Sequence, residues 1–141
     1  MSLTAVKVSG RAEEEVAVST HAQLARSAVR IFAANDRMNQ LLIENLNPAA
    51  WAAKPPGGAR TIAAFFTHMH NVRTKWVRLT APHLQIPPRI NRAHCTPLQA
   101  RAALAESGAR CAEMLAEALG DPAGRIQEFR RDGWGRPWPV G

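Results

Sequence analysis

Tyrosine is absent from the chain, and cysteine occurs only twice, at Cys95 and Cys111. Two thiols cannot build the disulfide framework that braces small secreted domains, so the composition points to a reducing, cytoplasmic setting. No apolar run approaches the ~20 residues that cross a bilayer, which argues against a membrane span. The N-terminus from Met1 to Thr20 contains Glu13-Glu14-Glu15 and no uninterrupted apolar centre, so it does not read as a secretory signal. A Gly-rich phosphate loop and a pair of catalytic carboxylates are also missing.

What remains is a chain of 141 residues, enough for one domain with a genuine core. It is 46% apolar with a mean hydropathy of −0.22, as expected of a soluble globular protein. The net charge of +7 and a pI near 11 raise the question of nucleic acid. The arginines are scattered along the chain, with no dense basic block and no aromatic-interleaved strand for stacking bases. The basic excess therefore reads first as a solvated surface, and nucleic-acid binding as the lesser reading.

Periodicity predicts helices. Residues 1–15 read as a flexible leader, and a first long helix is expected from Ser19 or Thr20 to Leu46. Its apolar stripe comprises Leu24, Ala28, Ile31, Phe32, Asn35, Met38, Leu42 and Ile43, and Asn47-Pro48 stops it. Asn35 and Asp36 interrupt the stripe and face either the bundle centre or solvent. Pro and Gly make a loop of residues 47–59, in which Trp51 is expected to plug the end of the core.

A second helix over about 60–80 carries Ile62, Phe65, Phe66, Met69, Val72, Trp76 and Leu79 on one face. His68 sits at the edge of that stripe. There it is either a metal ligand, held rigid and open on one side, or a half-buried, hydrogen-bonded core histidine. His70 reads as a surface or supporting group. Pro82, Pro87 and Pro88 make the next loop stiff and extended.

The third helix has the sharpest start: Thr96 as cap, Pro97 in the first turn and Gln99 completing a capping box. Leu98, Ala102, Ala105, Ala109, Ala112, Leu115 and Leu119 form its expected buried stripe, and Gly120-Asp121-Pro122 ends it. Residues 125–132 begin a further helix at most, and 133–141 form an irregular Gly/Pro/Trp tail. The domain is placed at 16–132. The fold class is all-α, an antiparallel bundle of four-helix type with its last helix incomplete.

Three segments carry a family resemblance. They are Ala34-Asn35-Asp36-Arg37-Met38-Asn39, the run from Gly57 through Arg60-Thr61-Ile62 and Phe65-Phe66-Thr67-His68-Met69-His70 to Arg73, and Cys95-Thr96-Pro97 before an Ala-rich helix. Over about residues 20–132 the chain resembles the DinB (DinB/YfiT-like) family, whose members are often called damage-inducible proteins. The resemblance implies a usually dimeric four-helix bundle that binds a divalent metal, often nickel or zinc. Its ligands are one histidine of the second helix and a His-x-x-x-His pair of a later helix. It further implies metal-dependent hydrolysis or transfer of small thiols, with a small-molecule substrate.

Carried over, His68 takes the second-helix ligand position, following Phe65-Phe66. The later pair would follow Asp132-Gly133-Trp134, and no histidine occurs after His94, so an incomplete metal site with little activity is expected. His68 and His70 lie about 200° apart around a helix and cannot share one ion. Second choices after His68 are His70, His94 and Cys95, then His21, His83 and Cys111, with His94-Cys95 expected near one end of the second helix. The alternative is a non-catalytic, homodimeric interaction module with an uncovered apolar face.

Overall fold

The structure, a computed structural model, describes residues 3–130 and 137–139. Among these, the elements are α1 (Leu3–Asn45), α2 (Pro48–Trp51), a short 3-10 turn (Pro56–Gly58), α3 (Ile62–Thr80), α4 (Pro97–Gly120), β1 (Glu128–Arg130) and β2 (Pro137–Pro139). The all-α bundle is as expected. Four α-helices make most of it, and the strands are a small antiparallel pair with Phe129 opposite Trp138.

α3 and α4 begin where local chemistry dictates. The Thr61 hydroxyl accepts from the Ala64 amide at 3.1 Å and starts α3. Thr96 and Gln99 form the expected reciprocal box, with the Gln99 amide donating to Thr96 Oγ1 at 3.2 Å and the Thr96 amide to Gln99 Oε1 at 2.9 Å. Gly57 and Gly58 both have positive φ, +78° and +74°, so this turn needs residues without a Cβ.

The packing order is α1 against α4 and α3 against α4. Ala25 lies beside Gly120, Asp36 beside Gly108, and Gln40 and Glu44 beside Arg101, so α1 and α4 run antiparallel. Phe66 clusters with Ala100 and Leu104, and Val77 with Cys111, Met114 and Ala118, so α3 and α4 run in the same direction, where an antiparallel bundle is expected from the sequence. The proline-rich segment 81–96 is the return crossover this parallel pair requires. Trp51 plugs one end as expected: it is buried, stacks on Phe66 at 5.9 Å, and donates from Nε1 to the Cys95 carbonyl at 2.7 Å.

Four further expectations need correcting. The segment 1–15 is helical from Leu3, continuous with α1. Its Ala and Glu residues favour helix, and its short Val alternation has no strand to pair with. The segment 125–132 is not helical where described, since residues 128–130 form β1. The tail expected as irregular at 133–141 contains β2, and its remaining residues lie outside those described.

The fourth correction concerns faces. Leu24, Ile31, Met38 and Leu42 of α1 are exposed, as are Phe65 of α3 and Leu98, Ala102, Ala105 and Ala109 of α4. The buried faces are smaller and more polar: Ala63, Phe66, Thr67, His70, Arg73, Thr74 and Val77 on α3, and Ala100, Ala103, Leu104, Ser107, Gly108, Cys111, Met114 and Ala118 on α4. Small side chains let α4 approach two helices at once, and that close packing outweighs the size of the side chains left outside.

Candidate functional site

The centre of the bundle is polar. Arg73 of α3 reaches across to α1, with Nη1 at 2.5 Å from Asp36 Oδ1 and 3.3 Å from the Leu104 carbonyl, and its guanidinium lies 5.1 Å from the Phe32 ring centre. The Asp36 carboxylate fits there because α4 carries Gly108. A Cβ at that position would come within 2.9 Å of Asp36 Oδ2. Asp36 therefore faces the bundle interior.

His70 is 1% exposed. Its Nδ1 lies 2.8 Å from the Ala103 carbonyl oxygen and its Nε2 2.9 Å from the Pro88 carbonyl oxygen. Carbonyl oxygens only accept, so both contacts are hydrogen bonds in the imidazolium form and one of them in the neutral ring. In either state each ring nitrogen has a carbonyl oxygen as its neighbour. Next to it, Asn71 Nδ2 donates to the Ile90 carbonyl and Asn71 Oδ1 accepts from the Ile90 amide, both at 3.1 Å. The pair clamps the crossover. Pro87 and Pro88 bring no amide donors, so that segment depends on side chains for its hydrogen bonds.

The two histidines of α3 thus exchange their expected places: His68 is exposed and His70 is buried. The stripe that marks the core side by pattern is the half-exposed one, and His68 lies on the exposed side of α3. Sequence gave no signal of the long-range carbonyls that hold His70. A Pro-rich crossover in need of donors was the available hint.

Of the remaining candidates, His94 and Cys95 do approach α3. They line a cleft of about 450 Å³ with His70, Asn91, Gln99 and Glu106. His83 Nε2 donates to Glu117 at 2.8 Å, and Arg125 donates to the same carboxylate at 2.9 Å. These hydrogen bonds, first that from His83, hold the Glu117 carboxyl below its usual range. Cys111 is buried beneath Arg73, and burial pushes its thiol up to about 11 despite the nearby guanidinium. His21 lies half-buried on α1, far from these groups in the chain.

The ligand set that the resemblance implies is not assembled around His68. His68 faces solvent, the buried imidazole has carbonyls at both nitrogens, and among the described residues no three His, Cys, Asp or Glu side chains converge on one point.

An apolar groove lies between α1 and α3, with α4 residues in its floor at one end. At one end Leu42, Leu46, Ile62, Phe65 and Phe66 line about 310 Å³. At the other, Phe32, Val72, Trp76, Met114 and Phe129 line about 390 Å³. Of the lining residues Leu42 is 54% and Phe65 53% exposed, and Ile31 (72%) and Met38 (60%) are exposed on the same helix as Leu42. Three corners of a four-helix arrangement are occupied by α1, α4 and α3, and this groove is the fourth. Among the described residues no helix is long and apolar enough to cross a membrane, so the exposed stripe is not a span.

Compared with known proteins, the chain matches no family model, no curated protein and no solved structure.

Proposed function

We propose that this chain is a non-catalytic helical interaction module whose open bundle corner receives a helix. The observation that carries the reading is the row of large apolar side chains, Leu24, Ile31, Met38 and Leu42 of α1 with Phe65 of α3, left in water beside an apolar groove. Soluble monomers rarely leave contiguous apolar patches of this kind uncovered. The test compares wild type with Phe65→Glu by light scattering and by titration with Nile red. Assembly, or dye uptake by a monomer, that is lost in Phe65→Glu supports the reading. A wild-type monomer that takes up no dye refutes it.

The DinB resemblance supplies a second reading, a divalent-metal-dependent hydrolase or thiol transferase. The observation in its favour is that His94, Cys95 and Glu106 share one cleft. Calorimetric titration with zinc and nickel separates the two. One ion per chain, lost in His94→Ala, favours the metal reading, and no saturable heat disfavours it.

A further inference from the structure

We propose that the helix filling the open corner is α1 of a second copy of this chain, laid antiparallel so that each protomer's α1 lies in the other's groove; this rests on the helix-docking reading above. The first support is the charge pattern of α1. From Gln23 to Asn45 its charged residues are Arg26, Arg30, Asp36, Arg37 and Glu44. At about 100° per residue, all but Asp36 fall on one side of the helix, and Asp36 is turned inward to Arg73. Leu24, Ala28, Ile31, Asn35, Met38 and Leu42 alternate at spacings of four and three on a different side. That is the heptad seam of a helix paired with another helix.

Second, the seam complements itself when reversed. With the two-fold axis between Ile31 and Asn35, Leu24 lies opposite the partner's Leu42, and Ala28 opposite the partner's Met38. Large side chains thus meet small ones or each other in register.

Third, α1 is longer than its own protomer needs. It has 43 residues, about 65 Å, while α4 ends level with Ala25. Residues 9–20 are exposed throughout. Antiparallel pairing carries this overhang past the partner's Asn45. Glu13-Glu14-Glu15 then comes alongside the partner's Lys54 and the partner's Arg60, and Arg60 is an exposed residue on the groove rim beside Leu42 and Phe65. A parallel pair would instead set each acidic triplet against its twin. Opposite charges fix the orientation where the apolar seam alone does not.

Three measurements test the inference. By light scattering the wild type has twice the 15.4 kDa chain mass, Met38→Glu is monomeric with unchanged helical circular dichroism, and Leu98→Glu, off the groove, stays dimeric. A short bismaleimide links Leu24→Cys to Leu42→Cys when the two variants are mixed, and neither to itself. Replacing Glu13, Glu14 and Glu15 by Lys weakens the dimer at least tenfold at low salt. Self-linking of each cysteine variant, or a dimer that Met38→Glu leaves intact, overturns the inference. A wild-type monomer that takes up Nile red in the groove also overturns it while leaving the docking reading in place, and a monomer without dye uptake overturns both.

Discussion

At position 108 of α4 the Asp36 carboxylate occupies the space a methyl group would take, so a residue with no side chain decides where a charge is buried. Alanine in mid-helix ordinarily stabilises by about 1 kcal/mol relative to glycine. Here the added Cβ displaces Asp36 from Arg73, whose side chain is 9% exposed, and an ion left unpaired in such a place costs about 3–5 kcal/mol. The penalty is the larger quantity. Gly108→Ala should therefore lower stability by about 2–4 kcal/mol in urea titration; a variant more stable than the parent would show that Asp36 relocates freely. Cys111, in the same neighbourhood, yields a pH prediction. Burial favours its neutral thiol, raising the folded value from 9.0 to about 11. A raised value means the folded state holds the proton more tightly, so the contribution is complete below pH 9 and is lost as pH rises toward 11. The loss amounts to roughly 2–3 kcal/mol. Urea midpoints between pH 8 and 11 should fall for wild type and fall less for Cys111→Ala, and the native thiol should react slowly with iodoacetamide at pH 8.

Among the elements, the crossover 81–96 is held mainly from outside itself. Asn71 gives it two hydrogen bonds, His70 bonds Pro88, and Trp51 bonds the Cys95 carbonyl. Asn71→Ala should cost about 1–3 kcal/mol, because it leaves the Ile90 amide and carbonyl unpaired, and should speed amide exchange at Ile90 more than in α4. Unchanged exchange at Ile90 would mean the prolines alone hold the segment. What the sequence reveals of these elements depends on the range of the physics involved. The start of α4 was legible because Thr96, Pro97 and Gln99 act within one turn, and Trp51 as a plug followed from a large aromatic between breakers. The buried faces were not legible. Periodicity marks where large apolar residues recur, whereas burial on α3 and α4 went to Thr67, His70, Thr74, Ser107 and Gly108, which allow close approach or reach distant backbone. For the same reason the pattern of α3 sets His68 at the core edge and His70 at the surface, the reverse of their places in the fold. The apolar stripes of α1 and α3 were legible as stripes, but which neighbour covers them is a property of the assembled bundle.

For the molecule as a whole, what matters is how charge and apolar surface are divided along α1. Arg26, Arg30 and Arg37 share one side of α1 while the apolar seam occupies another, so the basic excess does not oppose contact along the seam. If α1 pairs with α1 of a second copy, folding and association are linked, because the exposed seam is stabilised only in the dimer. Mass action then makes stability depend on concentration, since the dimer releases two chains on unfolding. A tenfold increase in protein shifts the balance by about 1.4 kcal/mol, which for a dimer of this size raises Tm by roughly 3 °C. The rise should be seen by calorimetry from low to high micromolar protein. It should be smaller at high salt if Glu13-Glu14-Glu15 meets Lys54 and Arg60, because exposed pairs are screened beyond about 10 Å at 0.1 M. It should vanish in Met38→Glu, whose Tm belongs to the monomer alone. A wild-type Tm that does not move with concentration would instead assign the whole of the stability to the contacts of α4 with α1 and α3.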